Sequence, residues 1–86
     1  MRWALLYSRR AAKSIGRLPR NAQVRLLAEL ARMQEDPLRG DVKALRNHPV
    51  SFRRRVGSYR VLFDVDLATK TVLIHDVLRR SDTTYR

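Results

Sequence analysis

The chain has 86 residues, enough for one small domain spanning 1–86 with a single modest core. A hydrophobic share of 44% argues against intrinsic disorder, although 31% of the residues are charged. Nineteen Lys and Arg against eight Asp and Glu give a net charge of +11, which favours a polyanionic partner or a neutralising acidic protein. A generically basic protein is the alternative.

The first half of the chain predicts one strand and two helices. Trp3–Tyr7 is a short apolar and aromatic run typical of a strand, and Ser8 is a candidate N-cap for the helix that follows. The second helix ends at Asp36-Pro37, because the residue before a proline is pushed out of the α region. The apolar stripes of the two helices are Ala11, Ile15 and Leu18 in the first and Leu26, Leu30 and Met33 in the second.

The second half predicts three strands. Residues 39–49 have the composition of a connecting loop, and 50–65 alternate apolar and basic residues around Gly57-Ser58, as in a β-hairpin. Residues 66–70 form a turn before a last β-branched strand at 71–78. The order β-α-α-β-β-β predicts an α+β two-layer sandwich, with two helices on one face of a mainly antiparallel four-stranded sheet. The other face is left for function.

The hairpin alternation assigns its arginines to faces. A two-residue loop at Gly57-Ser58 pairs Arg55 with Arg60 and puts both, with Arg53, on the face opposite the core. Like charges directly across a ladder destabilise it, so this face predicts a phosphate site, and a merely solvated face is the alternative. Arg54 falls on the core side and should reach outward or pair with a carboxylate. The core face should hold Phe52, Val56, Tyr59, Val61 and Phe63.

The register of the last strand stays open. A four-residue loop at 67–70 would pair Arg60 with Val77 and put Arg79 on the arginine face. A three-residue loop would pair Arg60 with Asp76 and put Arg80 there. Alternation alone cannot decide, since a slip of one residue exchanges the faces.

Several expectations concern absences. Without cysteine, a disulfide framework and a thiolate zinc site are excluded, which agrees with a reducing cytoplasm. We expect no membrane association, because no apolar run approaches transmembrane length and residues 1–7 are too short for a signal sequence. We expect no metal and no cofactor, because the aspartates lack close ligand spacing and more readily answer nearby arginines.

Short motifs along the chain resemble a known family. They are Tyr7-Ser8 with Ala12-Lys13, Leu18-Pro19, Asp36-Pro37, residues 43–46, residues 52–63, and residues 77–80 followed by Tyr85. In this order and at this length they resemble the RelE/ParE toxin superfamily of bacterial toxin–antitoxin systems. The resemblance implies a RelE-like, microbial-RNase-like fold. For RelE-like members it implies a ribosome-dependent, metal-independent mRNA endonuclease that works in the ribosomal A site.

The resemblance also implies roles for individual residues. Arg53 and Arg55 match basic residues around the reacting 2′-OH and phosphate, and Arg60 matches an arginine that clamps the phosphate. Arg80 matches the arginine near the 5′-oxygen leaving group, which favours the shorter loop, and Tyr85 matches a tyrosine that orients or stacks the substrate. Further RNA contacts are expected from Arg54, Arg79, Lys43 and Arg46.

One departure from the family concerns the general base. Arg53 and Arg55 stand where the best-known ribosome-dependent member has lysines, and an arginine cannot lose its proton in a protein. His48, His75 or Tyr85 could serve instead, or catalysis could rest on electrostatics alone. The alternatives are a packed core histidine for His75 and a turn residue for His48.

Two other functions share this fold. One is a ParE-like poison of DNA gyrase, and the other is a catalytically silent member that acts with its antitoxin in transcriptional autorepression. The late arginine and tyrosine favour RNA cleavage. Either toxin reading, RNA cleavage or gyrase poisoning, implies an acidic, RelB-like antitoxin that covers the basic face, with operator DNA bound only indirectly through it. RNA cleavage adds mRNA and the ribosome as partners.

Overall fold

The computed structural model describes residues 2–79, and the structural statements below concern that range. Two helices pack on one face of a five-stranded sheet, so the predicted α+β two-layer fold is confirmed. The strand order is β1-β5-β4-β3-β2, with β1 parallel to β5 and every other neighbour antiparallel. The elements are β1 (Ala4–Tyr7), α1 (Arg9–Gly16), α2 (Arg20–Met33), β2 (Val42–Ala44), β3 (Phe52–Val56), β4 (Tyr59–Asp66) and β5 (Thr71–Arg79).

The sheet has one more strand than the sequence predicted. The segment expected to be a loop contains β2, which pairs antiparallel with β3 at one edge of the sheet. Three residues are too few to show alternation, and they lie between turns at Gly40 (φ +98°) and Asn47 (φ +53°) that read as loop composition. The strand forms because β3 offers it an unpaired edge, which local sequence does not reveal.

The helices follow the predicted boundaries closely. The Ser8 side chain accepts a hydrogen bond from the Ala11 amide at 3.0 Å and caps α1, as predicted. Pro19 precedes α2, where its missing N–H costs nothing. Within residues 2–79, neither helix is long and apolar enough to cross a membrane. The residues that the helices bury against the sheet are Ala11, Leu26, Leu30 and Met33.

The core lies between the helices and the sheet face that alternation predicted. Phe63 is fully buried there and stacks on Phe52 with ring centroids 5.5 Å apart. Val56 and Val61 are buried beside it, and Tyr59 packs against the same cluster. The hairpin register and its core face are therefore confirmed.

The β4–β5 pairing contains a bulge that neither predicted register included. The connecting turn has four residues, 67–70, so the preference for a three-residue loop is wrong. Near the turn Phe63 pairs with Ile74, but the next pair is Leu62 with Asp76, which leaves His75 as an extra residue on β5. Beyond the bulge every partner is displaced by one position relative to the pairing at the turn.

The bulge changes which residue faces Arg60. Arg60 pairs with Leu78, and Arg79 pairs with Tyr59. Cross-strand partners share a face, so Arg79 lies on the helix side rather than on the arginine face that the four-residue loop predicted for it. Arg80 lies outside the described residues.

Candidate functional site

The face of the hairpin away from the helices carries the arginine pair that the sequence predicted. Arg55 and Arg60 are directly opposite each other on β3 and β4. The turn between the strands is tight because Gly57 adopts φ +57°, a conformation that glycine takes without a steric penalty. The Arg55 side chain is 38% exposed with its Nε buried, so part of this side chain is accessible to a ligand at this face.

Asp41 holds the third arginine of this face. Arg53 donates from Nη1 to the Asp41 carboxylate at 3.0 Å and to the Asp41 carbonyl at 3.2 Å, and it is only 8% exposed. The second carboxylate oxygen lies 3.9 Å from Arg55 Nε. The hydrogen bond from Arg53, followed by the charges of Arg53 and Arg55, holds the pKa of Asp41 below its ordinary value. Arg53 is thereby tied to the scaffold, while Arg55 remains at the surface.

Arg54 points into the helix side and finds a carboxylate, as predicted. Its Nη2 donates to Glu29 of α2 at 2.9 Å, and its Nη1 donates to the Arg39 carbonyl. Gly40 makes room for it, because a Cβ at that position would stand 2.9 Å from Arg54 Nη2. Arg54 is 7% exposed and lies away from the face that carries Arg55.

Of the remaining predicted RNA contacts, one shares the arginine face with Arg53, and the others lie elsewhere or outside the described residues. Lys43 is exposed on β2 opposite Arg53, and Arg46 is exposed in the connection between β2 and β3. Arg79 lines a separate cavity of about 260 Å³ on the helix side, together with Arg25. Arg80 and Tyr85 lie outside the described residues.

A groove opens on the same side of the sheet as the arginine pair, next to Leu78, the residue opposite Arg60. Its volume is about 510 Å³, and its walls come from the start of α1, the β2–β3 connection, and strands β4 and β5. Leu62 and Leu78 give its floor an apolar character that suits a flat ring. The lining residues are Ser8, Arg10, His48, Pro49, Val50, Leu62, His75, Asp76 and Leu78.

Both histidines of the chain line this groove. His75 Nε2 lies 2.7 Å from the Asp64 carboxylate, and His48 Nδ1 accepts a hydrogen bond from the Val50 amide at 3.0 Å. Burial acts to raise the pKa of Asp64, but hydrogen bonds from Ser51 and His75 outweigh it and hold that pKa below its ordinary value. His75 is half-buried in the groove and not packed in the core, and His48 stands in a turn as expected.

Two residues of this site were not predicted from the sequence. Asp41 follows Gly40 in what read as a loop, and its partner Arg53 is 12 positions away. Arg10 reaches the groove from the first turn of α1, where the sequence showed only one of many exposed arginines. No group of three or more His, Cys, Asp or Glu residues that could hold a metal ion occurs within residues 2–79.

Comparisons with known proteins give matches at the level of structure. No protein-family model matches the chain, and no curated protein sequence does. The RelE–RelB complex of the archaeon Pyrococcus horikoshii is similar with a TM-score of 0.82 and 23% identity, covering 96% of this chain and 100% of that one. The RelBE2 toxin–antitoxin complex of Mycobacterium tuberculosis gives 0.80 and 28%, covering 93% and 100%. A mutant of E. coli RelE in the free state gives 0.79 and 22%, covering 99% and 90%.

These similarities extend over nearly the whole length of both partners in each comparison. They include the hairpin on which the sequence resemblance was based, because the aligned region covers at least 93% of this chain. The resemblance to RelE toxins is therefore confirmed in three dimensions, and the chain has a RelE-like fold.

Proposed function

We propose that this chain is the toxin of a type II toxin–antitoxin system and cleaves mRNA on the ribosome without a metal ion. The observation that carries the proposal is the Arg55–Arg60 pair, held directly across a hairpin on the helix-free face of a RelE-like sheet. Two cations at this spacing weaken the ladder unless an anion lies between them. A phosphate of single-stranded RNA is such an anion.

The chemistry suits these groups. When the RNA 2′-OH attacks the adjacent phosphate, negative charge accumulates on the equatorial phosphate oxygens. Guanidinium forks held on a rigid sheet offer bidentate donors to those oxygens before the reaction begins. We assign Arg60 and Arg55 to this charge, with Arg53 supporting Arg55 from its buried position.

Two further groups belong to the proposal through the family resemblance alone. Arg80 would stabilise the 5′-oxygen leaving group, and Tyr85 would stack on or orient the substrate. Stacking on an aromatic ring grips an unpaired base with little sequence preference, which fits an enzyme that meets many mRNAs.

The net charge of +11 supports a protein partner of opposite charge. The similar structures include complexes of a RelE protein with a RelB protein. We propose that a RelB-like acidic antitoxin covers the arginine face, neutralises the toxin in the cytoplasm and brings the pair to operator DNA. The charge accounts for the need for such a partner but not for its identity.

The test is expression of the full chain in bacteria, with 5′-OH ends of RNA mapped within minutes of induction. We expect ends confined to translated regions, and growth arrest. Arg60→Ala should reduce cleavage by about 100-fold, the size of effect seen when one preorganised donor is removed. Arg20→Ala makes the same charge change at an exposed position at the start of α2 and should leave cleavage unchanged.

Other outcomes would redirect the proposal. Growth arrest with intact mRNA and broken DNA would contradict RNA cleavage and support a gyrase poison. No arrest would support a silent family member. Equal loss of cleavage in Arg60→Ala and Arg20→Ala would show that net charge, and not the arginine face, is responsible.

A further inference from the structure

The reaction proposed above needs a group that removes the proton of the attacking 2′-OH, and the arginine pair cannot supply it. Guanidinium groups stay protonated at every pH that a folded protein tolerates. The inference below rests on the proposed function and concerns which residue of the same site accepts this proton.

His75 occupies a special position in the sheet. It is the extra residue of the β5 bulge, next to the groove, and its side chain is 32% exposed. Bulges redirect a side chain that regular alternation would place elsewhere. The His75 carbonyl accepts a hydrogen bond from the Ser8 hydroxyl at 2.6 Å, so the backbone at the bulge is anchored to the start of α1.

Asp64 orients the His75 ring. One carboxylate oxygen of Asp64 lies 2.7 Å from His75 Nε2, and the other accepts the Ser51 amide at 2.8 Å. The carboxylate is thus fixed from two sides, and hydrogen bonding keeps its pKa below the ordinary value, so it is ionised at neutral pH. An ionised carboxylate accepts a proton from Nε2, which places the hydrogen on Nε2 and leaves a lone pair on Nδ1.

The second ring nitrogen is available. Within residues 2–79, His75 Nδ1 makes no hydrogen bond to the protein. A neutral imidazole with a supported Nε2–H and an unengaged Nδ1 is the arrangement that a general base requires.

Each of the other titratable groups that line the groove has a hydrogen-bond donor as partner or carries a positive charge. Asp76 accepts hydrogen bonds from the Ser14 hydroxyl at 2.7 Å and from the Val77 amide at 2.8 Å. His48 accepts the Val50 amide through Nδ1, so its lone pair is used. Arg10 enters the groove from α1 as a cation and cannot accept a proton.

The distance to the arginine pair suits one nucleotide. Arg60 is opposite Leu78, three residues along β5 from His75, which is roughly 10 Å at the usual rise of a strand. A long arginine side chain on the same face shortens this gap to the scale of one ribose and its phosphate. A phosphate held by Arg60 would therefore leave its neighbouring ribose in the groove beside His75.

We propose that His75 Nδ1 is the general base of the cleavage reaction and that Asp64 is the residue that positions it. The proton of the 2′-OH passes to Nδ1 as the 2′-oxygen forms a bond to phosphorus. The bond between phosphorus and the 5′-oxygen breaks, and that oxygen leaves with the electron pair and takes a proton from water. The products are a 2′,3′-cyclic phosphate and a 5′-OH end, and the imidazolium returns its proton to solvent.

The test is single-turnover cleavage of mRNA on programmed ribosomes by the purified full chain, measured as a function of pH. The wild-type rate should fall on acidification, because protonation of Nδ1 removes the lone pair. His75→Gln should slow cleavage by about 100-fold or more and abolish this dependence. Arg60→Ala should slow cleavage but retain the pH dependence.

Asp64→Asn tests positioning. It should slow cleavage by about 10-fold or more and change the pH profile, since a neutral amide no longer selects the Nε2–H form. Asp66→Asn removes the same charge at the last residue of β4, which does not line the groove, and should match wild type. Nitrogen-15 NMR of the full chain provides a readout independent of activity: His75 should carry its proton on Nε2 in wild type and lose this preference in Asp64→Asn.

The outcomes separate the two proposals. If wild type cleaves and His75→Gln cleaves at the same rate with the same pH dependence, His75 is not the base and the proposed function stands. A proton on Nδ1 in the NMR spectrum would overturn the assignment as well. If wild type does not cleave at all, the proposed function fails and this inference fails with it.

Discussion

Arg54 and Arg55 are neighbours in the chain, but their side chains point to opposite faces of β3. Arg54 points toward the helices, where it is 7% exposed and binds Glu29 at 2.9 Å and the Arg39 carbonyl. Arg55 points to the other face, where its side chain is 38% exposed and its Nε lies 3.9 Å from the Asp41 carboxylate. The pleat of a single strand thus separates an arginine that stabilises the fold from one that can bind a ligand.

A buried charged group needs fixed partners that an exposed one does not. A guanidinium in the helix layer must be matched by a carboxylate and by hydrogen bonds, since leaving it unpaired costs several kcal/mol. At the open face, water offsets most of that cost, so the side chain needs no fixed partner. Only an arginine at the open face, such as Arg55, can therefore exchange its bound water for a phosphate.

The largest effect should come from removing the buried arginine. Arg54→Ala removes the buried partner of Glu29 and leaves this partly buried carboxylate only the exposed Arg32, at 3.3 Å, within the described residues. We expect a loss of about 3 kcal/mol in the free energy of unfolding. Arg55→Ala is the matched control one residue away and should cost less than about 1 kcal/mol. Urea unfolding measures both. Similar losses for the two variants would contradict the division between the faces.

A smaller effect should follow from filling the space that Arg54 uses. Gly40 has φ +98°, and a Cβ there would stand 2.9 Å from Arg54 Nη2. Gly40→Ala should therefore destabilise the fold by about 1–3 kcal/mol, from backbone strain and displacement of the guanidinium. Gly16→Ala is the control, because it lies at the end of α1 with nothing within 4 Å of the new Cβ. That substitution should be neutral or stabilising, and a loss equal to that of Gly40→Ala would refute the steric argument.

The smallest effect should come from Asp41, which restrains the open face. Asp41→Asn removes the charge that holds Arg53 and lies near Arg55, so affinity for single-stranded RNA should rise about threefold at low salt. Fluorescence anisotropy measures the change, with Asp66→Asn as the matched control. An unchanged affinity in Asp41→Asn would mean that this carboxylate does not compete with phosphate.

The same substitution should change the response to acid. The folded protein lowers the pKa of Asp41 below 3.8, so its contribution to stability is present above that pH and is lost as the pH falls through the lowered pKa. Asp41→Asn should lose this part of the acid dependence, which unfolding curves between about pH 5 and 2 would report. An identical acid profile in wild type and variant would exclude the linkage.

Much of the candidate face could be read from the sequence because its causes are local. The alternation of apolar and basic residues and the Gly57-Ser58 turn act over neighbouring positions, so they predicted the pairing of Arg55 with Arg60 and the inward direction of Arg54 correctly. The helix cap at Ser8 is equally local. The two-layer architecture followed from the order of these elements.

Only the tertiary structure decided the rest. β2 exists because β3 offers it an edge, and Asp41 reaches Arg53 across 12 positions of the chain. The bulge at His75 inserts one residue into β5, so every later residue of that strand faces the opposite side of the sheet. It also brings His75 into contact with Asp64, 11 positions earlier in the chain. The alternation of side chains along a strand does not show where a bulge inserts an extra residue. The sequence by itself therefore determined which residues alternate between the two faces, and the packed sheet determined which of these residues contact each other.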